Sequence, residues 1–489
     1  MQSLSLLTFS LLACRPALED TSHPECTEGR HWDGSGCVLD DSDADTDADA
    51  DTDADADADA DVDPPTWHLG DVVESLVYID WDQPSDATAR VEWSIEEDVW
   101  EQGPERVLTA GPQEDLILGL PYETEARVRV VYDVSQPDDT SLEIAVETGD
   151  LPHALPIPEV LASIPDLQLP GGRWLLGSIN AWEGGWTSGD YWMFIVDREG
   201  RVVWARQGEQ PHYTDYLHVS KDGDILWDVS TYWSAWDNGA ASVIHRMRID
   251  GVVTETWPAP GMHHCFDEWP DGSLVWGAAH EGSEQILRRD LETEEIEVLW
   301  DCAPFYAKEG LTDWCHSNSI YRDPDTGRLL LSFPTAYTFV LEVDPKTHEE
   351  LRWFGHIPGS WAFDPPDSAF WYQHGVTWTP DRTLLVSSKV ADGDDEGVVR
   401  EYRVDEATST LVQVWTFGEG DGIDAYRAGE AHRLANGNTL HNTGTTPRIR
   451  EITPDGEVAW DLAFPGFRLL GRTVFVEDLY ALAPEPFRR

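Results

Sequence analysis

Two hydrophobic periodicities divide the chain. Between residues 66 and 150, apolar and polar positions alternate. Val77, Ile79 and Trp81 alternate with Tyr78 and Asp80; Val91, Trp93 and Ile95 with Glu92, Ser94 and Glu96; Ala126, Val128 and Val130 with Arg127 and Arg129. A period of two belongs to strands with one face in a core and one in water, so this segment predicts a small β-sandwich. From 151 to 489 the pattern changes. Short turns recur, each followed by a few apolar residues: Asp222-Gly223, Asp250-Gly251, Asp271-Gly272, Asp325-Thr326-Gly327, Pro380-Asp381, Asn436-Gly437 and Asp455-Gly456. Each reads as a hairpin turn. One kind of hairpin ends in a strand carrying Trp204, Trp257, Trp300, Trp353, Trp415 or Trp460. The other has the form PDG-x-Leu-apolar. Paired, they give six units of about 56 residues, the sequence signature of blades repeated around an axis. The expectation is all-β: a six-bladed β-propeller over 151–489, preceded by the sandwich over 66–150. The last hairpin, near Thr473–Val476, is degenerate and is expected to be completed by the segment at Trp174–Leu176. No long amphipathic helix stands out.

Composition narrows the partners. The chain of 489 residues has 93 acidic and 32 basic side chains, a formal charge of −61. That excludes nucleic-acid binding, which needs a basic stripe, and electrostatic docking on anionic lipid. Aromatic residues make up 11%, with 24 Trp, which is too many for a disordered chain. The tract from Asp40 to Asp63 holds only 13 of the acidic residues, so the remainder is acidic too. Its alternation of Asp with small residues has too little apolar surface to fold and repels itself, which predicts an extended spacer.

The N-terminal apolar run, Leu4 to Ala13, is too short to span a bilayer, which takes about 20 residues. Leu11-Leu12-Ala13-Cys14 resembles a bacterial lipobox, with Cys14 lipidated. Arg15 rather than Asp follows, which by the usual sorting pattern implies the outer membrane. The expected organisation is therefore a signal peptide at 1–14, a Cys loop and acidic linker at 15–65, and then the two β regions. The expected location is the cell envelope, lipid-anchored and facing the periplasm or the cell surface. In an oxidising compartment Cys26 and Cys37 are expected to pair, as are Cys302 and Cys315, leaving Cys265 unpaired. No CxxC pair occurs, which argues against a structural zinc.

Aligning the PDG-type hairpins brings out three histidines. His264 lies ten residues before Leu274, and His374 ten before Leu384. His316 lies 14 before Leu330, with a turn about four residues longer. The three share one position on consecutive units, on the strand that would line a central channel. His218 and His432 are shifted by three residues, and an odd shift turns a strand residue to the other face. Convergent imidazoles can hold a metal, bind an anion, or divide the roles of nucleophile and charge stabiliser.

The same segments carry a resemblance. Met262-His263-His264, Asp313-Trp314-Cys315-His316-Ser317-Asn318-Ser319-Ile320, Trp371-Tyr372-Gln373-His374 and Arg400-Glu401-Tyr402-Arg403-Val404-Asp405 look like bacterial aryl-sulfate sulfotransferases. These are six-bladed periplasmic propellers with a small N-terminal β domain. Separately, Leu118-Gly119-Leu120-Pro121-Tyr122-Glu123-Thr124 resembles a corner of fibronectin type III domains, although Ala126 stands where an aromatic residue is usual. The sulfotransferase resemblance implies transfer of a sulfuryl group from a phenolic sulfate ester to a phenol, by a ping-pong route through a sulfated histidine. It implies no nucleotide cofactor and no metal. It makes His374 the nucleophile, with His264 and His316 stabilising the sulfuryl oxygens and the phenolate, and His263 and Asn318 assisting. His374 is expected to be neutral, and His264 and His316 to differ from it in protonation. One departure is clear. The family's catalytic Arg aligns with Pro334, and Lys389 is the nearest replacement cation, a point charge instead of a planar fork. Two other readings stay open: a non-catalytic propeller that binds an aromatic or anionic ligand, and a metal-dependent propeller lactonase or lyase.

Overall fold

The computed structural model describes residues 30–32, 37–39, 63–97, 99–184, 189–235, 237–312, 315–334, 337–427 and 429–488. Cys14, Cys26 and the acidic tract as far as Val62 lie outside them, and with them the expected lipidation and the Cys26–Cys37 pair. The chain forms two compact units, 1–61 and 62–489. In the first, Arg30–Trp32 pairs antiparallel with Cys37–Leu39.

Among the described residues the second unit is all-β apart from short helical turns and one helix. It begins with two sheets. One orders Thr66–Leu69, Val77–Gln83 and Gly111–Ile117. The other centres on Ala87–Ser94, flanked by Glu125–Val131 and then Ile144–Glu147. Val77, Ile79 and Trp81 are buried as their alternation predicts, and so are Val91, Trp93, Val128 and Val130. Ile95 departs from the pattern: the strand stops at Ser94, and Ile95 is left exposed in the turn. These sheets do not close a core of their own. One hydrophobic cluster runs from Ile79 and Val130 through Trp204 and Trp227 to Tyr480 and Phe487. The boundary near residue 150 is thus a change of architecture within a continuous core.

Among the described residues six sheets follow, each with four consecutive antiparallel strands; the fifth adds Ala362–Asp364 in parallel beside its last strand. In five of them the chain runs strand to adjacent strand, starting from Leu217–Val219, Met262–Glu268, Ser319–Arg322, Trp371–Trp378 and Glu430–Arg433. The remaining sheet is completed from the far end of the chain. Leu470–Val476 pairs with Trp174–Asn180, with Trp174 opposite Val476, as the degenerate last hairpin predicts. The starting strands adjoin one another. Met262–Glu268 meets Ser319–Arg322, which meets Trp371–Trp378, which meets Glu430–Arg433. Leu470–Val476 touches both Thr439–Asn442 and Leu217–Val219. The arrangement is propeller-like.

The turn chemistry explains the regularity. Gly200, Gly223, Gly251, Gly272, Gly327, Gly437 and Gly456 all have φ between 73° and 89°, where a side chain is strained. In the fifth sheet Arg382 takes that conformation instead, at φ 61°. The six tryptophans of the repeat all sit on fourth strands, and Trp204 and Trp460 are fully buried between sheets. One element is absent from the sequence reading: an eight-residue helix, Cys302–Glu309, between the third and fourth sheets. Asp301 caps it by accepting from the Ala303 amide, and Gly310 ends it in the left-handed region.

Ending the chain at Leu469 should abolish folding. The cut removes buried Leu470, Val476, Leu479, Tyr480 and Leu482, each worth about 1.5–3 kcal/mol of burial against a net stability of roughly 5–15 kcal/mol. A cooperative thermal transition in the truncated protein, followed by near-ultraviolet circular dichroism, would contradict this role for the closing strand.

Candidate active site

The histidines converge because two starting strands lose their regular pleat. Successive residues of a strand point to opposite faces. Between Met262 and Phe266 the pairing with Leu274–His280 shifts register, and His264 takes φ 59°. This bulge lets neighbouring side chains reach the same place: His263 Nδ1 and His264 Nδ1 are 3.1 Å apart. The strand Trp371–Trp378 is broken in the same way on both sides of His374, with Tyr372 at φ 47° and Gly375 at φ 67°. Gly375 is required there, because a Cβ would lie 2.7 Å from the Glu430 side chain. Positive φ at His264 and Tyr372 is uncommon for residues with side chains and marks a local geometry imposed by the surroundings.

His316 arrives just before its strand, in the segment tied down by the Cys302–Cys315 disulfide, whose Cα atoms are 6.5 Å apart. Cys265 is free and buried, as expected. The His316 ring stacks on His263 at 4.4 Å and meets His264 edge-on at 4.6 Å. Beneath them lies buried Glu284. Its Oε2 accepts from the Ser317 amide at 2.6 Å and lies 3.4 Å from His263 Nε2 and 3.9 Å from His316 Nδ1. Asn318 fastens this segment to the next sheet, donating from its amide side chain to the Gln373 carbonyl at 2.8 Å. Gln373 in turn donates to the Phe333 and Phe339 carbonyls. The backbone immediately before His374 is therefore held from three directions.

These groups border a cavity of about 390 Å³. His264, His316, Asn318, Pro334 and His374 line one side, and Trp233, Tyr213, Tyr216 and Tyr372 supply aromatic wall. His263 lies behind the lining, almost fully buried between His264 and Glu284. His218 and His432 are not among the lining residues. His432 instead holds Glu430 at 2.8 Å.

The cations differ from the expectation. Lys389 does not line the cavity: its ammonium pairs with Asp395 at 2.5 Å and lies over the Tyr372 ring. Pro334 lies at the wall. Two arginines the sequence reading missed, Arg427 and Arg472, are lining residues. Arg427 comes from the loop between the fifth and sixth sheets and donates to the Tyr372 hydroxyl. Arg472 comes from the closing strand, outside any complete hairpin in the sequence. Burial works against its charge, but Tyr216, Glu430 and Asp267 around it hold the guanidinium charged.

The protonation pattern also departs from expectation. Burial pushes the His374 imidazole down to about 3, and Arg427 and Lys389 push the same way. Burial and the other histidines drive His264 and His316 well below the ordinary imidazole range. All three are therefore neutral near pH 7, and each offers one N–H and one lone pair. His374 Nδ1 lies 3.3 Å from the Tyr372 carbonyl, which can only accept. The proton is therefore on Nδ1 and the lone pair on Nε2. Across the cavity, burial raises the Asp215 carboxyl, and burial together with Asp215 raises Asp228, so neither strongly opposes an anion.

Residues 283–465 match the arylsulfotransferase (ASST) family model. That stretch, somewhat over a third of the chain, is similar to the arylsulfotransferases. The match takes in Glu284, His316, Asn318, Pro334, His374 and Arg427, and begins after His263 and His264. No curated protein matches. Similar solved structures are distant. A protein of unknown function from Bacteroides caccae is 15% identical, covering 62% of this chain and 97% of its own, with a TM-score of 0.43. TolB from Acinetobacter baumannii is 11% identical over 73% and 80%, with a TM-score of 0.39. Virginiamycin B lyase from Staphylococcus aureus is 11% identical over 65% and 99%, with a TM-score of 0.35.

Replacing both Cys302 and Cys315 by Ala should lower stability by about 3 kcal/mol, the loop-entropy value for a ring of this size. Activity per folded molecule should fall as well, because the bridge holds the backbone that presents His316. Denaturant titration and turnover at a temperature where the variant is folded separate the two effects. An unchanged midpoint would show that the bridge adds nothing.

Proposed function

We propose that the protein is a sulfuryl transferase acting on aryl sulfates, built on a six-bladed propeller with a fibronectin III-like sandwich in front. The observation that carries this reading is the state of His374. Its Nδ1 proton is committed to the Tyr372 carbonyl, and its Nε2 lone pair belongs to a neutral ring at the cavity wall. Nε2 attacks sulfur; the N–S bond forms as the S–O ester bond breaks, and a phenolate leaves. His264 and His316 donate N–H bonds to the sulfuryl oxygens and the departing oxygen. In the second half, a phenol oxygen takes the sulfuryl group from Nε2, and its proton passes to the neutral imidazoles. The aromatic wall fits both donor and acceptor, and the volume lies within the usual range for small-ligand sites, roughly 300–1,000 Å³.

Incubation with an aryl sulfate and no acceptor should leave one sulfuryl group on His374, seen as added intact mass and located by peptide mapping. His374→Asn should abolish both adduct and turnover while melting like the wild type. Above the depressed value of about 3 the ring stays neutral, so turnover should show no acid limb near the ordinary histidine value of about 6.5. Full turnover by His374→Asn would end the nucleophile assignment.

Arg427 takes the part that Pro334 cannot. It delivers a guanidinium to the same cavity from a different loop. Arg427→Ala should reduce kcat by about 10²–10³-fold, the cost of losing one preorganised donor to developing charge. Arg427→Lys should recover only part, since a point charge cannot reproduce the fork. Wild-type kinetics in Arg427→Ala would remove it from the mechanism. Pro334 favours a second reading, capture of an aromatic anion without turnover. Tight binding of an aryl sulfate with neither adduct nor product would establish that instead.

A further inference from the structure

The sulfuryl-transfer reading uses His264, His316 and His374. It leaves two buried groups without a task, His263 and Glu284. Neither lines the cavity, yet both are almost completely enclosed. A fully buried carboxylate is costly unless its environment answers it. Here the answer comes from Ser317, through both its amide and its hydroxyl, and from two imidazoles.

We propose that His263, His264 and His316 form a binding site for one divalent transition metal ion, with Glu284 as their shared outer acceptor. Each of the three offers a nitrogen, and these nitrogens all lie within 4.8 Å of one another. The nearest pair, the two Nδ1 atoms of His263 and His264, is 3.1 Å apart. Two nitrogens bound to one tetrahedral zinc at about 2.0–2.1 Å are roughly 3.3 Å apart, so that pair already has ligand spacing. The roles of the ring nitrogens agree. His263 Nε2 lies 3.4 Å from Glu284 and its Nδ1 3.1 Å from His264 Nδ1, while His316 Nδ1 is on the Glu284 side at 3.9 Å, so we assign His316 Nε2 to the ion. A carboxylate that receives the second N–H of a ligating histidine fixes its tautomer and raises its basicity, and Glu284 Oε2 stands next to two of the proposed ligands, 3.4 Å from His263 Nε2 and 3.9 Å from His316 Nδ1. The bulge at His264 serves the same end, because a regular strand would send His263 and His264 to opposite faces.

Three protein ligands leave a fourth position open, as catalytic rather than structural zinc sites do. His264 and His316 are cavity-lining residues, so that position faces the cavity. A metal there would present a Lewis acid to an anionic substrate oxygen on the wall where Pro334 supplies no charge. With the ion bound, it would take over from the N–H groups of His264 and His316 the contact to the sulfuryl oxygens; that last consequence rests on the sulfuryl-transfer reading, and the metal site does not.

The test uses tag-free full-length protein. Metal content after purification without chelator should be close to one equivalent per chain. After chelation, cobalt(II) should restore one equivalent, with the intense visible absorption of a tetrahedral site, and zinc should displace it. His264→Asn, chosen because Asn tolerates positive φ, should lose saturable binding. Glu284→Gln keeps the shape of the acceptor and should bind metal about 10–100-fold more weakly. The proposal fails if the wild type holds no metal and binds neither cobalt nor zinc saturably. It fails equally if both variants bind as tightly as the wild type. Metal binding without an aryl-sulfate adduct would leave the site standing and remove the sulfuryl-transfer reading. An adduct formed by protein shown to contain no metal and to bind none would do the reverse.

Discussion

The structure depends on one piece of strand pairing: Leu470–Val476 against Trp174–Asn180. A chain of sheets joined in series has two open ends, each with unpaired backbone and bare apolar side chains. Pairing the last strand with the first complete sheet removes both at once. It also seals the core shared with the N-terminal sheets, since Val476, Leu479 and Tyr480 belong to the same cluster as Trp93 and Val128. The Tyr480 hydroxyl accepts from the Leu118 amide at 3.3 Å across that seam. The same strand brings Arg472 to the cavity, with its amide donating to the Asp215 carbonyl at 2.8 Å. Ring closure and site assembly are one event, and the cavity cannot exist in a chain whose last strand is unpaired.

What the sequence discloses follows from what is local. Each hairpin is specified by a turn of two or three residues with a glycine or an equivalent in the left-handed region, and by the alternation that follows it. Such signals are contained within about ten residues, so the sheets and their Trp-bearing fourth strands are readable. The positions of His264, His316 and His374 are readable for the same reason, because they are counted from those turns. Glu284, Arg427 and Arg472 are not. Glu284 sits on a third-position strand, where nothing distinguishes it from surface acidic residues until its neighbours are known. Arg427 lies between hairpins, where no template gives a register. Arg472 belongs to the one hairpin split between the two ends of the chain. His263 was legible as a neighbour of His264 but not as its partner, because strand geometry argues that adjacent residues diverge. Only the bulge reverses that, and bulges leave little trace in composition. The helix at Cys302–Glu309 escaped because eight residues carry too little periodicity.

The charge of the cavity contrasts with that of the whole. A chain of net charge −61 repels anions at long range. Salt screens that field over about 8–10 Å, whereas a guanidinium in a partly buried site acts at contact. Arg427 and Arg472 supply the contact charge. The lining carboxyls are answered individually: Asp215 is shifted toward its neutral form, and Glu430 is held by His432 and by the Arg472 guanidinium. An anionic ligand thus meets no uncompensated carboxylate at the wall. The acidic exterior and an anion-compatible interior coexist because the two operate at different distances.

Pro334, where the resemblance would place an arginine, has a structural corollary. Pro cannot donate to a ladder, and it stands at the end of Leu329–Phe333 where the chain leaves the sheet. A cation at that point would have been fixed by the strand itself. Arg427 is fixed instead by what it touches, and it touches the segment that carries His374: it donates to the hydroxyl of Tyr372 and lies over that ring and over Tyr426. Tyr372 also supplies the carbonyl that orients His374. One residue therefore sets the tautomer of His374 with its backbone and the place of the Arg427 guanidinium with its side chain. Its positive φ is what allows both, because an extended Tyr372 would direct its carbonyl along the ladder and away from the imidazole. Arg427 and His374 are thereby both tied to a single residue at positive φ, so the guanidinium supplied by a loop stays aligned with the imidazole on the strand.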